Sequence, residues 1–363
     1  MAFEIWKDGV RTGLLEGYDS IQWLTYSRDY GEFQITASNP TVAALLGQGT
    51  TILNTDTMEL GSVEYVKPQV DPSGCLSVEA RGYNSIAMLD RRVVMGTVTI
   101  SNIEDAMIKL YTDNQRGLSL LPPESNGYDE TADSQITWNS ILDAWKKLAE
   151  LAKFGFGSVF DRLAGTNTLR IYKGVDRSDD RSANYSGVFG DRAGNLTEIS
   201  LARDASKYKN VAIVGGVCEG ANRVVRIVGS ASGDDRRELW VDAKDLQKTY
   251  QIATPTGKYD SQGNPEYNYT EATYTEEEYA AALDQRGVEK LLDCLNTQSV
   301  SCTVIDGPMR FGVNYNLEDR VPVVCKDFLG LRMSARVSGV KLVYEDNARK
   351  VYPILSDFEQ LRS

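Results

Sequence analysis

Carboxylates are the side chains of this sequence best suited to chemistry. Asp56 stands close to Glu59, and Glu276, Glu277 and Glu278 are consecutive. Two such groups can act as acid and base in glycoside cleavage when a sugar fits between them. The Glu276–Glu278 run also reads as acids at a helix start, where the N-terminal dipole favours them. Asp234, Asp235 and Glu238 offer oxygen ligands for a cation, but the stretch lacks EF-hand spacing and glycine and reads as a solvated turn. Gly215–Gly220 is glycine-rich after a strand, yet without the Lys-Ser/Thr ending of a phosphate cradle it reads as a hairpin turn. The chain has no histidine, which removes the usual general base and the middle member of Ser-His-Asp and Cys-His arrangements. Cys75, Cys218, Cys294, Cys302 and Cys325 form no Cys-x-x-Cys pair, so they read as small buried hydrophobes in a reducing compartment. No catalytic, cofactor-binding or metal residue is assigned, and no enzymatic activity is expected.

The elements around these residues belong to a folded chain. Its 363 residues, 42% hydrophobic and 25% charged, fit about two globular domains. A net charge of −12 disfavours specific binding of nucleic acid or anionic lipid. Apolar runs such as Val93–Met95 and Val211–Val214 are too short to span a membrane, and Met1–Gly9 shows no signal-cleavage pattern.

Residues 1–95 read as short strands, with Phe33 and Ile35 alternating against Gln34 and Thr36, and with turn signals at Lys7–Gly9 and Asp71–Gly74. Residues 96–200 read as a mixed α+β domain. Ser101–Glu104 spells a capping box before Ile103, Met107, Leu110 and Tyr111. Thr137 can cap a second helix striped by Trp138, Ile141, Leu142, Trp145, Leu148 and Ala152, with Gly155 ending it, before a hairpin of Ser158–Arg162 and Thr168–Tyr172. Residues 201–363 return to strands, turning at Glu345–Asn347 and interrupted over 251–299 by a Tyr-rich loop, Tyr259–Tyr274, and a helix over Glu276–Leu295. Thr51–Ala80 and Val321–Leu355 share a weak order of strands and turns. The expected fold is α+β and β-dominated: two small β-barrel modules bracketing the mixed domain, the second carrying the loop-helix insertion.

Gly31–Ile35, Ala80–Leu89, Lys173–Arg177, Asn210–Gly216, Asp234–Asp245, Leu317–Val323 and Val337–Val340, in that order, resemble the tail-hub proteins of phages and prophages, also called tail-associated or minor tail proteins, of the siphophage type. The resemblance implies a homotrimer with two barrels per subunit, so that threefold symmetry presents six like surfaces to a ring. It implies as partners a distal tail protein or tail-tube ring, a tape-measure protein, and receptor-binding or fibre proteins, and it implies no cofactor. DNA would pass through an acidic channel without specific binding, and the location would be the virion tail tip after synthesis in the host cytoplasm. With the chain stopping at Ser363, a hub core without its own lytic domain is implied. Two other readings stay open: a cell-wall or capsule carbohydrate-active enzyme of the tip using a carboxylate pair, and a surface-glycan module using Tyr259–Tyr274.

Overall fold

The computed structural model describes residues 3–7, 10–70, 72, 74–220, 223–259, 265–294, 297–305, 307–327, 330–345 and 348–361. Strands make up 47% and helices 19%, so the β-dominated α+β expectation holds. The turn signals at Asp8-Gly9, Asp71, Ser73 and Asp346-Asn347 lie outside the described residues. Two compact units emerge: Met1–Ser200 with Ser301–Ser363, and Leu201–Val300.

In the first unit the opening strands are β1 (Phe3–Lys7), β2 (Val10–Leu15), β3 (Ser20–Tyr26), β4 (Glu32–Ala37), β5 (Thr51–Asn54), β6 (Glu59–Val70) and β7 (Leu76–Asn84), with the short helix α1 (Pro40–Leu45) between β4 and β5. Period-two patterning sets their faces. In β3, Ile21, Trp23 and Thr25 point inward while Gln22 and Leu24 are partly open; in β4, Phe33, Ile35 and Ala37 are buried. Trp23 stacks on Phe33 with ring centroids 4.8 Å apart. Gly82 lets β6 and β7 approach, since a Cβ there would fall 1.9 Å from the Ser62 carbonyl oxygen.

The mixed part follows. It comprises β8 (Thr97–Asn102), α2 (Ile103–Asn114), β9 (Leu120–Leu121), β10 (Thr131–Thr137), α3 (Ile141–Ala152), β11 (Phe154–Asp161) and β12 (Thr166–Lys173). These surround a second core containing Met107, Leu110, Tyr111, Trp145, Leu148 and Phe156. The helices are where expected, but the caps are not. Ser101 is still in β8, so Asn102 caps α2 by accepting from the Asp105 N–H at 2.9 Å. Thr137 is likewise held in β10, and Ser140 caps α3. Trp138 therefore precedes the helix, 63% exposed with φ +51°, and the buried stripe starts at Ile141. Lys153, left-handed at φ +56°, ends α3; Gly155 belongs to β11, where a Cβ would press into the Tyr172 ring.

Glu104, released from capping duty, is buried and holds the 125–128 loop. Its carboxylate accepts from the Asn126 and Tyr128 backbone N–H groups, both at 2.8 Å, and from the Asn126 amide and Ser125 hydroxyl. Burial alone would raise its pKa, but these hydrogen bonds outweigh it and hold the carboxyl below the ordinary glutamate value of 4.5. A depressed folded-state pKa stabilises the fold above the unfolded value, and this contribution is lost as pH falls toward the folded one. Glu104→Gln is expected to cost about 1–3 kcal/mol at pH 7. Urea titrations of the variant should show a shallower loss of stability below pH 4.5 than the parent; equal acid limbs would contradict this role.

The remaining strands of the first unit are β13 (Phe189–Gly190) and, after the chain returns, β21 (Arg320–Cys325), β22 (Leu331–Glu345) and β23 (Ala348–Gln360). They correct the expected architecture. β22 pairs antiparallel with β3, from Gly339 opposite Tyr26 to Glu345 opposite Ser20. Opening and closing strands thus form one eleven-stranded sheet in the order β13-β21-β22-β3-β4-β7-β6-β5-β1-β2, with β23 on β22. Among the described residues no sheet closes into a barrel. The physical reason lies in one shared core: Phe3, Trp23 and Phe33 from the opening strands bury with Val340, Leu342 and Tyr344 from the closing ones.

The second unit holds a three-stranded sheet, β16-β15-β17, made from β15 (Val211–Gly215), β16 (Val225–Val228) and β17 (Glu238–Asp242). Helix α4 (Glu276–Leu292) supplies Tyr279 and Leu283 to a core with Ala212, Val214 and Val241. Between them, β18 (Thr249–Tyr259) and β19 (Pro265–Thr273) pair as an antiparallel hairpin where a long loop was expected. Two further strands, β14 (Leu196–Asp204) and β20 (Thr297–Val304), pair with each other.

Candidate functional site

The carboxylates that could have formed a catalytic pair, Asp56 and Glu59, are held by different partners. Glu59 is buried at the start of β6, accepting from the Trp23 indole N–H at 2.9 Å and the Thr25 hydroxyl at 2.7 Å. Burial pushes its carboxyl pKa up, against the pull of those hydrogen bonds. Asp56 accepts instead from the Tyr344 hydroxyl at 3.2 Å and pairs with Arg349 at 3.3 Å. A sugar needs open space between acid and base, and a Glu59 enclosed by Trp23 and Thr25 offers none.

The other candidates resolve into structure. Glu278 and Thr275 form a reciprocal capping box at the start of α4, and Glu276 pairs with Lys248 at 2.7 Å. The Glu278 carboxyl is held below its ordinary value by the Thr275 backbone N–H and then its hydroxyl. Asp234 and Asp235 sit in an exposed turn, with Glu238 bound to Arg236. Among the described residues no cluster of three metal-ligating side chains occurs. Gly216 is required by packing, because a Cβ there would lie 2.5 Å from the Tyr279 hydroxyl, which also accepts from the Val217 N–H. The cysteine expectation needs correction: Cys325 is buried, but Cys75 and Cys218 are exposed and Cys294 is partly so. The Cys302 side chain lies outside the described residues.

An ionic junction that the sequence did not reveal ties three distant segments of the first unit together. Glu318, 4% exposed, pairs with both Arg28 and Arg336. Arg28 also donates to the Phe154 carbonyl at 3.0 Å and to Glu150 in α3 at 2.7 Å. Arg336 reaches the Ser27 hydroxyl at 2.9 Å and Asp357 at 2.5 Å. Beside it, Asp319 accepts from Arg177 and from the Val175 N–H, both at 2.7 Å. Arg28, Arg320 and Arg336 line a hollow of about 330 Å³. With each arginine already paired to a carboxylate, the arrangement works as a clamp. Its only trace in sequence is that Glu318 and Asp319 fall within Leu317–Val323.

The second unit presents apolar surface. On the sheet face away from α4, Ile213 is flanked in register by Ile227 and Trp240, which are 59% and 54% exposed. Val225 continues the patch, and Arg223 rests 4.9 Å from the Trp240 ring. The hairpin exposes Tyr250, Ile252, Tyr267 and Tyr269. Contiguous apolar surface of this kind marks interaction sites. Among the described residues no helix is long and apolar enough to cross a membrane.

No curated protein sequence matches the chain significantly. Among solved structures, the 43 kDa tail protein of prophage MuSo2 from Shewanella oneidensis is similar at 13% identity and TM-score 0.56, covering 98% of this chain and 97% of its own. A tail protein from Neisseria meningitidis MC58 is similar at 14% identity and TM-score 0.55, covering 98% and 96%. A prophage tail protein from Listeria monocytogenes gives 12% identity and TM-score 0.51, covering 98% and 95%. Identities this low establish a shared fold. The model of the family described as Siphovirus ReqiPepy6 Gp37-like protein matches residues 2–355, and the chain therefore belongs to that family.

Proposed function

We propose that the protein is a homotrimeric hub at the distal end of the phage tail, joining the tail tube or a distal ring to the host-facing tip. The apolar face of the second unit carries the proposal. A threefold ring needs two different surfaces per chain, one for each neighbour. The Ile213-Ile227-Trp240 row and the exposed hairpin are two such surfaces. Trp and Arg are also the residues that most often anchor interfaces, and Arg223 lies over Trp240. An isolated two-stranded hairpin is marginal in water, so β18–β19 gains from a neighbour. The overall charge of −12 suits a passage through which DNA slides, since an acidic wall repels phosphates.

Light scattering on the purified 40.2 kDa chain, alone and with its distal-tail neighbour, tests the assembly. The expected mass is that of three chains, falling to one chain when Ile227→Glu and Trp240→Glu are combined, with unfolding still cooperative and the far-UV circular dichroism unchanged. A wild-type chain that stays monomeric even with its neighbour present would overturn the proposal.

A further inference from the structure

We propose that the outward face of the large sheet carries a groove for a neutral oligosaccharide, shaped by a β-bulge at Glu64. The groove is a hollow of about 490 Å³ over β22, β3, β4, β7 and β6, within the range of small-ligand sites. Strand register builds its floor: Gln22 lies opposite Gln34, Gln34 opposite Arg81, and Arg81 opposite Tyr65. In a regular strand Tyr65 would share the inward face of Val63. The register shift between Val63 and Tyr65 instead turns Glu64 and Tyr65 outward together, while Val66 returns to the core. Bulges re-aim side chains in this way. Tyr65 ends 47% exposed and Tyr83, further along the groove, 41% exposed.

The lining selects a chemical class. A sugar ring offers an apolar C–H face and hydroxyls that both donate and accept, and the groove offers two part-exposed tyrosines, Tyr65 with the Arg81 guanidinium 5.8 Å from its ring centroid and Tyr83 packed edge-on against Tyr30, beside amide, carboxylate and cationic groups. Glu79 fixes Gln34 at 2.9 Å and Arg81 at 2.6 Å, so part of the polar floor is pre-oriented. Among the described residues the side chains of Gln22, Glu32 and Lys341 and the hydroxyls of Tyr65 and Tyr83 have no hydrogen-bond partner, leaving donors and acceptors for a ligand. Glu64 is paired to Arg91 at 2.7 Å and Arg81 to Glu79, which leaves Glu32 against Lys341, and this balance of charge disfavours a phosphate-rich ligand. The centre of a protein–protein interface is poor in Lys and Glu and rich in apolar area. Here Leu24 is the one partly open aliphatic side chain in the lining. The inference is independent of the trimer, since a monomer that binds sugar leaves it intact.

The test is saturation-transfer NMR on the full chain with chitotetraose, maltohexaose and mannohexaose, and with a heparin hexasaccharide as the acidic comparison. At least one neutral probe is expected to bind with a Kd below about 10 mM. Combined Tyr65→Ala and Tyr83→Ala should weaken that binding at least tenfold (about 1.4 kcal/mol) with the urea midpoint unchanged. Binding of no neutral probe, binding of the acidic probe alone, or binding that survives the double variant would each overturn the proposal. So would a double variant whose mass drops from oligomer to monomer, because the face would then be a protein contact.

Discussion

Glu318→Ala is expected to lower the unfolding free energy by about 3–5 kcal/mol, because it takes the buried carboxylate from two largely buried guanidinium groups at once. The Arg28 and Arg336 side chains are only 11% and 13% exposed, and the Glu318 side chain 2%. Glu318 is the only buried carboxylate that serves these two arginines among the pairs they make; without it Arg28 keeps Glu150 and Arg336 keeps Asp357, whose side chains are 71% and 48% exposed, so the buried ends of both guanidiniums lose their partner. Urea unfolding at pH 7 measures the loss. A change below about 1 kcal/mol, the range of an exposed pair, would show that the junction does not hold the opening strand, α3 and closing strands together.

Trp145→Ala should cost a similar amount, about 3–5 kcal/mol, by a different route. Trp145 is fully buried at the centre of the second core, with Tyr111 at 6.3 Å and Phe156 at 5.5 Å between ring centroids. Its indole N–H donates to the Met107 carbonyl at 3.0 Å, joining α3 to α2. Truncation leaves a cavity and removes that helix-to-helix hydrogen bond at once. The parallel substitution Trp138→Ala, at the exposed residue before α3, should change stability by less than about 0.5 kcal/mol. Equal effects at the two positions would return Trp138 to the core stripe from which its exposure removes it.

These two tryptophans show what local sequence conveys. Helical spacing found α3 and its buried residues from Ile141 to Ala152, but could not tell that β10 holds the chain extended through Thr137. The same competition moved the cap of α2 from Ser101 to Asn102: a strand's hydrogen bonds outweighed a local capping pattern. Strands β3 and β4 were legible because one face is buried and the other is not. The β18–β19 hairpin was not, because Tyr250, Ile252, Tyr267 and Tyr269 are all exposed, so among the described side chains no buried residue marks a period of two. Least legible was the pairing of β22 with β3, which joins residues more than three hundred positions apart and leaves no local signal. For the same reason Glu318, Arg28 and Arg336 could be read only as scattered charges. The exposed Cys75 and Cys218 were misread from residue type, which reports average burial and not the strand end or turn each occupies.

Immunogold labelling of intact virions with an antibody to this chain tests the tail-tip assignment most directly. Label confined to the distal end of the tail, at the junction with the host-facing tip, is expected. Label along the whole tube or on the capsid, or a virion that lacks the chain, would contradict it.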